Sequence, residues 1–261
     1  MNIVVCLKLI PDLKYIRVKD RKPILEGAPL IFGDMDRNAL EEAIRIKEKV
    51  EGTKVIALAL GSSKLKETIK AALAIGADEA VLLTDPLFAD SDTAGTAKAL
   101  AKAIEKIKTY DLILCGEGST DNYSGQVGPR LAEILGLSQI TYVRKLEVEG
   151  KKLRAVRNME ESFEVVEVEM PALVTVATEI NQPRLALLKD ILKAGKKPLQ
   201  EWKAADLGFS ANEIGAKGAV REVVSNLAPE QERKQVVFEG ELKDVVENLF
   251  NALMKEGVLG R

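Results

Sequence analysis

The sequence predicts a doubly wound, mostly parallel α/β sheet with a C-terminal arm. Three observations carry this. Short apolar runs alternate with stretches of helical periodicity up to Gly136, as parallel βαβ units with right-handed crossovers require. The strands that follow are expected to be shorter and half-polar, as in a solvated antiparallel face. Beyond about Pro198 the chain loosens around Gly208, Gly215, Gly218 and Pro229, then closes in one amphipathic stretch. We therefore expect an α/β domain over residues 1–200 and an arm over 201–261.

The elements follow in order. Ile3–Leu7 is a buried strand by its unbroken apolar run. Tyr15–Lys19 and Pro23–Leu25 flank a polar turn and predict a small hairpin. The charges at Asp12 and Lys19 to Arg21 have no spacing that implies chemistry. A helix capped by Asp36 follows, with Leu40, Ala43 and Ile44 on one face. Val55–Leu60 is the second buried strand. A helix carrying Leu65, Ile69, Ala72 and Leu73 comes next, with Gly76 placed to end it. Ala80–Leu83 is the third strand. Asp92 and Thr93 open a helix with Ala97, Leu100, Ala101, Ile104 and Ile107 at helical spacing. Leu112–Cys115 is the fourth strand, and Val127, Leu131 and Ile134 mark the helix after it. Ile140–Val148, Lys151–Arg157 and Phe163–Glu169 are the half-polar strands, and Ala172–Ala177 returns to a buried run. Leu242, Val245, Val246, Leu249 and Leu253 form the apolar face of a final helix that needs a partner surface.

Composition excludes several function classes. The chain has 261 residues with a hydrophobic fraction of 46%, enough for one large core with an appendage. Its formal net charge is -2, which offers no general attraction for nucleic acid or a membrane surface. There is no histidine, so His-based triads and the commonest general base are excluded. The two cysteines, Cys6 and Cys115, lie in buried strands and cannot build a zinc spacing. Free thiols, no span-length apolar run and a first strand starting almost at Met1 lead to the expectation of a cytoplasmic protein.

Ligands on such sheets bind beyond the carboxyl ends of the strands. The turns of interest follow Leu7, Leu60, Leu83 and Cys115. The last is the richest: Gly116, Glu117, Gly118, Ser119, Thr120, Asp121, Asn122, Tyr123, Ser124, Gly125, Gln126 and Val127 run from a buried strand into a helix. Its glycines allow close backbone approach, its hydroxyls donate, and the helix adds free N–H groups at its positive end. It is neither a Walker A loop nor a complete GxGxxG, so an anion site and an ordinary strand-to-helix loop both fit. Asp92, Thr93 and Thr96 open another helix, and their spacing is that of an N-cap. In Asn181–Leu192, Leu185, Leu187, Leu188, Ile191 and Leu192 crowd together ahead of Lys193, Lys196 and Lys197. That pattern fits a core helix with a solvated basic end as well as an exposed apolar anchor with a basic rim.

Taken together, these segments make the chain resemble the beta subunits of electron transfer flavoproteins along nearly its whole length. The carrying segments are Cys6–Asp12, Asp36–Lys47, Glu67–Asp78, Gly116–Gly128 and Asn181–Arg184 with the Leu/Lys stretch after it. The resemblance implies a sheet of the adenine nucleotide alpha hydrolase-like type. It further implies a heterodimer with an alpha subunit that holds most of a redox FAD, with the terminal arm packing on that subunit. This subunit would hold AMP, or a second FAD in flavin-bifurcating relatives. The implied nucleotide contacts are Cys6, Gly33, Asp34, Met35, Asp36, Leu60 and the loop Gly116–Val127. Asp92, Thr93 and Thr96 would serve the diphosphate of a second flavin. The segment 181–197 would recognise a partner dehydrogenase, with Leu188 as the inserted anchor and Leu185, Lys193 and Lys196 around it. Two departures separate the chain from the second-flavin pattern. Where such members usually carry Arg-Gln-Ala-Ile-Asp-Gly-Asp, this loop reads Glu117-Gly-Ser-Thr-Asp-Asn-Tyr. The usual Asn-Pro start of the other loop is Gly33-Asp34.

On this reading electrons pass from a dehydrogenase of acyl-CoA dehydrogenase type to an acceptor such as a quinone reductase or ferredoxin. No residue of the chain acts as a catalytic nucleophile or base, because the cofactor carries the chemistry. A nucleotide-hydrolysing or adenylating enzyme would need a complete phosphate-gripping motif, which is missing. A non-catalytic AMP- or ATP-binding sensor is the remaining alternative.

Overall fold

The computed structural model describes residues 1–230 and 234–259. The chain begins with β1 (Asn2–Leu7), β2 (Leu9–Pro11), β3 (Arg17–Lys19), β4 (Lys22–Ile24) and β5 (Leu30–Phe32). Then α1 (Asp34–Lys49), β6 (Lys54–Leu60), α2 (Lys66–Ile75), β7 (Glu79–Leu83), α3 (Thr93–Ile107), β8 (Leu112–Gly116) and α4 (Val127–Leu135) alternate. β9 (Ser138–Glu149), β10 (Lys152–Asn158), β11 (Phe163–Glu169) and β12 (Ala172–Val176) follow. Last come α5 (Leu188–Ala194), β13 (Leu199–Trp202), the single-turn α6 (Gly215–Gly218) and α7 (Leu242–Lys255).

The main sheet has nine strands in the order β11-β10-β9-β12-β8-β1-β6-β7-β13. β12, β8, β1, β6, β7 and β13 run parallel, and β9 joins them parallel to β12. β10 and β11 add an antiparallel flank. Successive strand side chains point to opposite faces. Ile3, Val5 and Leu7 thus meet Leu40, Ile44, Ile69 and Leu73 of α1 and α2 in one core layer. Val4 and Cys6 meet Leu100, Ile104 and Leu131 of α3 and α4 in the other. Leu112, Ile113 and Leu114 are fully buried on both faces. Each such side chain contributes roughly 1.5–3 kcal/mol of burial. The expected doubly wound, mostly parallel architecture is therefore the one observed.

Three local expectations change. Residues beyond Pro198 do not all loosen: β13 pairs parallel with β7 at the sheet edge. Its burial does not follow a strand-like alternation, so only the non-local backbone ladder reveals it. The first helix begins at Asp34, with Gly33 as its cap residue and no side-chain cap. Asp36 lies inside the first turn with a buried carboxyl, because Arg37 N–H already closes on Gly33 O at 3.0 Å. In α4, Leu131 and Ala132 face the core, whereas Ile134 is exposed.

The chain divides into two compact units. One comprises Met1–Arg17 and Ile24–Asn226 and contains the sheet. The other comprises Val18–Pro23 and Leu227–Arg261. Within the latter, Arg21 and Ala228 exchange main-chain contact (Ala228 N–H to Arg21 O, 2.7 Å), and Arg21 Nε donates to Ala228 O at 3.0 Å. Lys234 pairs with Glu256 at 2.6 Å. No residue of α7 is buried, and Leu242, Val246, Leu249, Phe250 and Met254 are exposed.

One contact sets the seat of α4 on the sheet. A Cβ at Gly128 would lie 2.6 Å from Thr175 Cγ2 of the buried strand β12. Gly128→Ala is expected to lower stability by about 1–3 kcal/mol through overpacking. The measurement is the urea midpoint, which should fall while the slope stays constant.

Candidate functional site

The strand order reverses at β1. From β1 the chain steps outward to β6 and β7, then returns so that β8 lies on the other side of β1. The carboxyl ends of β1 and β8 form the topological switch point, where open α/β sheets bind ligands. Every loop arriving there belongs to the sequence-derived set or lies next to it.

The floor is a thiol pair. Cys6 and Cys115 are register partners on β1 and β8, and both are buried and free. Hydrogen bonding to Cys6 and burial push the Cys115 thiol well above its ordinary value. It is a packing group rather than a nucleophile.

α1 arrives over this floor at contact distance. A Cβ on Gly116 would fall 2.9 Å from Met35 Cβ and 3.1 Å from its carbonyl carbon, so only glycine permits the approach. Gly118 N–H reaches Met35 Sδ at 3.2 Å, and Asp34 N–H reaches Thr120 Oγ1 at 3.4 Å. Residues 33–36 and 116–120 are thus one structure, far apart in sequence but adjacent at the helix start. Lys8, just beyond β1, holds the loop from below through Asp121 at 2.7 and 2.8 Å and Ser119 Oγ at 3.2 Å. Burial opposes the charge on Asp121, but Lys8 and Ser119 outweigh it and hold the carboxyl below its usual range. Lys8 was not among the residues singled out in sequence. Its signal was position, as the first side chain past a buried parallel strand.

The second helix start joins the same loop. Asp92 caps α3 by accepting from Gly95 N–H at 2.8 Å, and also from Val220 N–H at 3.0 Å. Burial would raise Asp92, but the Gly95, Val220 and Ala94 amides outweigh it, with Arg130 adding positive charge. Thr93 Oγ1 donates to Gln126 Oε1 at 2.9 Å, and Arg130 Nη2 donates to the same oxygen at 3.2 Å. Gln126 is the cap residue of α4. Asp92 and Thr93 therefore sit with Gln126 and Val127, and Thr96 lies one turn on, its N–H bonded to Asp92 O at 2.9 Å. Arg130 is a cation at this junction that sequence reading passed over. Leu60 closes β6 on the far side of β1 and packs against the α3-side core.

Two acids behave differently from what their positions in sequence suggest. Glu117 is only 4% exposed. Its carboxylate turns inward, accepting from Tyr142 N–H at 2.9 Å and from the Thr175 hydroxyl. It ties the loop to β9 and β12 and does not present an acid to the loop's open side. Asp36 is the opposite case. Its Oδ2 is buried without a hydrogen-bond partner, the only such side-chain atom among the described residues. Burial pushes its pKa up to about 8, against the pull of Lys8. The residues present fit an adenine nucleotide: helix starts of α1, α3 and α4, hydroxyls of Thr93, Thr120 and Ser124, and the Lys8 and Arg130 cations.

The segment 181–197 lies along α1 and α2. Leu185 is 82% exposed and Leu188, the first residue of α5, is 75% exposed. Leu187, Ile191, Leu192, Lys193 and Lys196 are exposed with them. Lys197 is not part of a free basic rim. Its Nζ donates to Leu73 O at 2.8 Å and Ala77 O at 2.6 Å, satisfying carbonyls at the end of α2. Among the described residues no helix is long and apolar enough to cross a membrane.

Asp36 makes stability depend on pH with a definite sign. The folded chain keeps the proton up to about 8, while the unfolded chain releases it near 3.8. The contribution is fully present below the unfolded value and is lost as pH rises through the folded one. Asp36→Asn removes that loss. The thermal midpoint of the variant minus that of the parent is expected to be greater at about pH 8 than at about pH 5. Parallel curves would contradict it.

Comparison with known proteins agrees with this geometry. A family model described as the electron transfer flavoprotein domain matches residues 24–207. The chain is 45% identical to an electron transfer flavoprotein subunit beta of Thermoanaerobacterium thermosaccharolyticum, over 99% of this chain and 100% of that protein. It is 38% identical to the corresponding subunit of Clostridium acetobutylicum, over 98% and 99% of the two chains. It is 37% identical to the caffeyl-CoA reductase-Etf complex subunit CarD of Acetobacterium woodii, over 88% of each. With its fold, its loop geometry and these full-length matches, the chain belongs to the electron transfer flavoprotein family, among the beta subunits.

Proposed function

We propose that this chain is the beta subunit of a heterodimeric electron transfer flavoprotein. It binds an adenine nucleotide at the β1/β8 switch point and presents residues 181–197 to a donor dehydrogenase. The observation that carries the reading is the convergence of the starts of α1, α3 and α4 at that point. When bound, a flavin supplies reversible uptake and release of electrons; the chain's own residues bind, orient and shield. Helix-start amides and hydroxyls hold phosphate oxygens, Lys8 and Asp121 keep the loop in shape, and Asp36 stands buried at the start of α1 with one carboxyl oxygen unpaired. The exposed apolar residues of α7 suit packing against the alpha subunit, which shares the redox FAD. The donor is of acyl-CoA dehydrogenase type and the acceptor a quinone reductase or ferredoxin, in the cytoplasm, where the free buried thiols Cys6 and Cys115 are stable.

Whether the nucleotide is AMP or a second FAD turns on two observations. The loop lacks the arginine that accompanies a second flavin, which favours AMP. Asp92 and Thr93 are joined to the loop through Gln126, and Glu117 faces inward, so no acid of the loop start opposes a second diphosphate there. The decisive measurement is the FAD and AMP released on denaturing the purified heterodimer. One FAD with one AMP is expected for a simple carrier, and two FAD for the bifurcating type. A heterodimer without flavin absorbance would end the reading.

Leu188 provides a second test. Leu188→Ala is expected to slow electron transfer from a short-chain acyl-CoA dehydrogenase by roughly tenfold or more, the scale of a truncated interface anchor. Flavin content should be unchanged. Loss of flavin from the variant would assign Leu188 a structural role instead.

A further inference from the structure

The exposed segment 181–197 is tied to α1 by a charge cluster around Arg184. Arg184 Nε donates to Glu41 Oε2 at 2.8 Å, its Nη2 to Glu41 Oε1 at 3.2 Å, and its backbone N–H to Glu41 Oε2 at 3.2 Å. The same guanidinium reaches Glu48 at 2.5 and 3.0 Å. Arg45 adds a bond to Glu41 at 2.7 Å and one to Gln182 O at 3.3 Å. At the other end of the joint, Asn38 Nδ2 donates to Thr178 O, Asn181 O and Asn181 Oδ1, and Asn181 Nδ2 returns bonds to Asn38 O and Glu42.

The Glu41 side chain is 3% exposed. Burial works against its charge, and the two arginines outweigh that and hold its carboxyl below the usual range. Charge-assisted bidentate pairs of this kind fix orientation as well as proximity. Beneath the segment, between α1 and α2, lies an open groove of about 540 Å³. Leu185, Leu187 and Leu188 project outward here, while Ala186 between them packs against the core. Ala186 and Ala194 seat the segment on the core beside α2, and the polar joint to α1 fixes the Arg184 end from which Leu185, Leu187 and Leu188 project.

We infer that Glu41, Glu48 and Arg184 are positioning residues that hold the Leu185–Leu192 surface in the orientation a partner docks to. The inference rests on the docking role proposed for that segment. The acids are spaced along α1, whose first turn builds the nucleotide loop. The docking surface is consequently mounted on the same rigid element as the binding site.

The test uses the heterodimer carrying Glu48→Ala or Arg184→Lys, with Leu188→Ala alongside. Glu48 is solvent-facing, so its truncation spares the fold, and lysine cannot reproduce the two-sided fork of Arg184. Amide exchange at Arg184, Asp190 and Ile191 is expected to accelerate about tenfold or more in both variants, with the interior of α1 unaffected. The KM of a short-chain acyl-CoA dehydrogenase for the heterodimer should rise about tenfold while kcat and flavin content hold, as misplacement of a docking group predicts. The double variant Glu48→Ala/Leu188→Ala should be little worse than Leu188→Ala alone. Unchanged exchange, or faster exchange with unchanged KM, overturns the positioning role. If Leu188→Ala raises KM and Glu48→Ala does not, only the positioning role falls. If Leu188→Ala leaves KM unchanged, the docking reading falls and this inference with it.

Discussion

The approach of Met35 to Gly116 is the contact on which the rest of the site depends. Any side chain at position 116 would meet the backbone of α1, so the helix start would lift off β8. With it would go the Gly118–Met35 and Asp34–Thr120 contacts that shape the loop, and the burial of Asp36. Because α1 is a rigid rod of 16 residues, the same contact also sets the height of Glu41 and Glu48, and so the seat of Arg184. The loop Gly116–Val127 and the segment 181–197 are thereby referenced to one point on the sheet.

The chain's electrostatics divide cleanly between holding and binding. Glu117, Glu41 and Glu42 are buried acids with internal partners, spent on fixing loops to helices and strands. Such groups are costly to leave unpaired and specific when paired. Asp36 alone keeps an unpaired buried oxygen among the described residues, and it stands at the start of α1 beside the β1/β8 switch point. The chain has no histidine, and both of its thiols are sealed in the sheet. That division suits a protein that positions a cofactor.

The apolar surface tells a related story. The layers around β1 and β8 consume the strongly periodic residues of α1 to α4, whereas α5 and α7 leave theirs outside. At roughly 25 cal/mol per Å² of apolar area, such surfaces represent binding free energy held in reserve for association. They differ in support: Leu185 and Leu188 stand on a fixed charged joint, while α7 lies in a unit with few internal contacts of its own.

The buried strands, the helices between them and the loop Gly116–Val127 were legible in sequence because their signals are local: apolar runs, helical spacing, glycine and hydroxyl clusters. Even the cap at Asp92 could be read from spacing. The edge strand β13 was not, since its evidence is a backbone ladder to β7. Nor were Lys8, Arg130, Tyr142 or the Glu41–Arg184 pair, whose partners lie far along the chain. Glu117 shows the limit most clearly. Read linearly it is an acid in a phosphate loop; folded, it is an internal strut. Sequence by itself determined the alternation of elements and the family. Only tertiary structure decided which charges pair internally to hold the frame and which leucines stay outside, because those outcomes depend on desolvation and pairing between residues that periodicity cannot bring together.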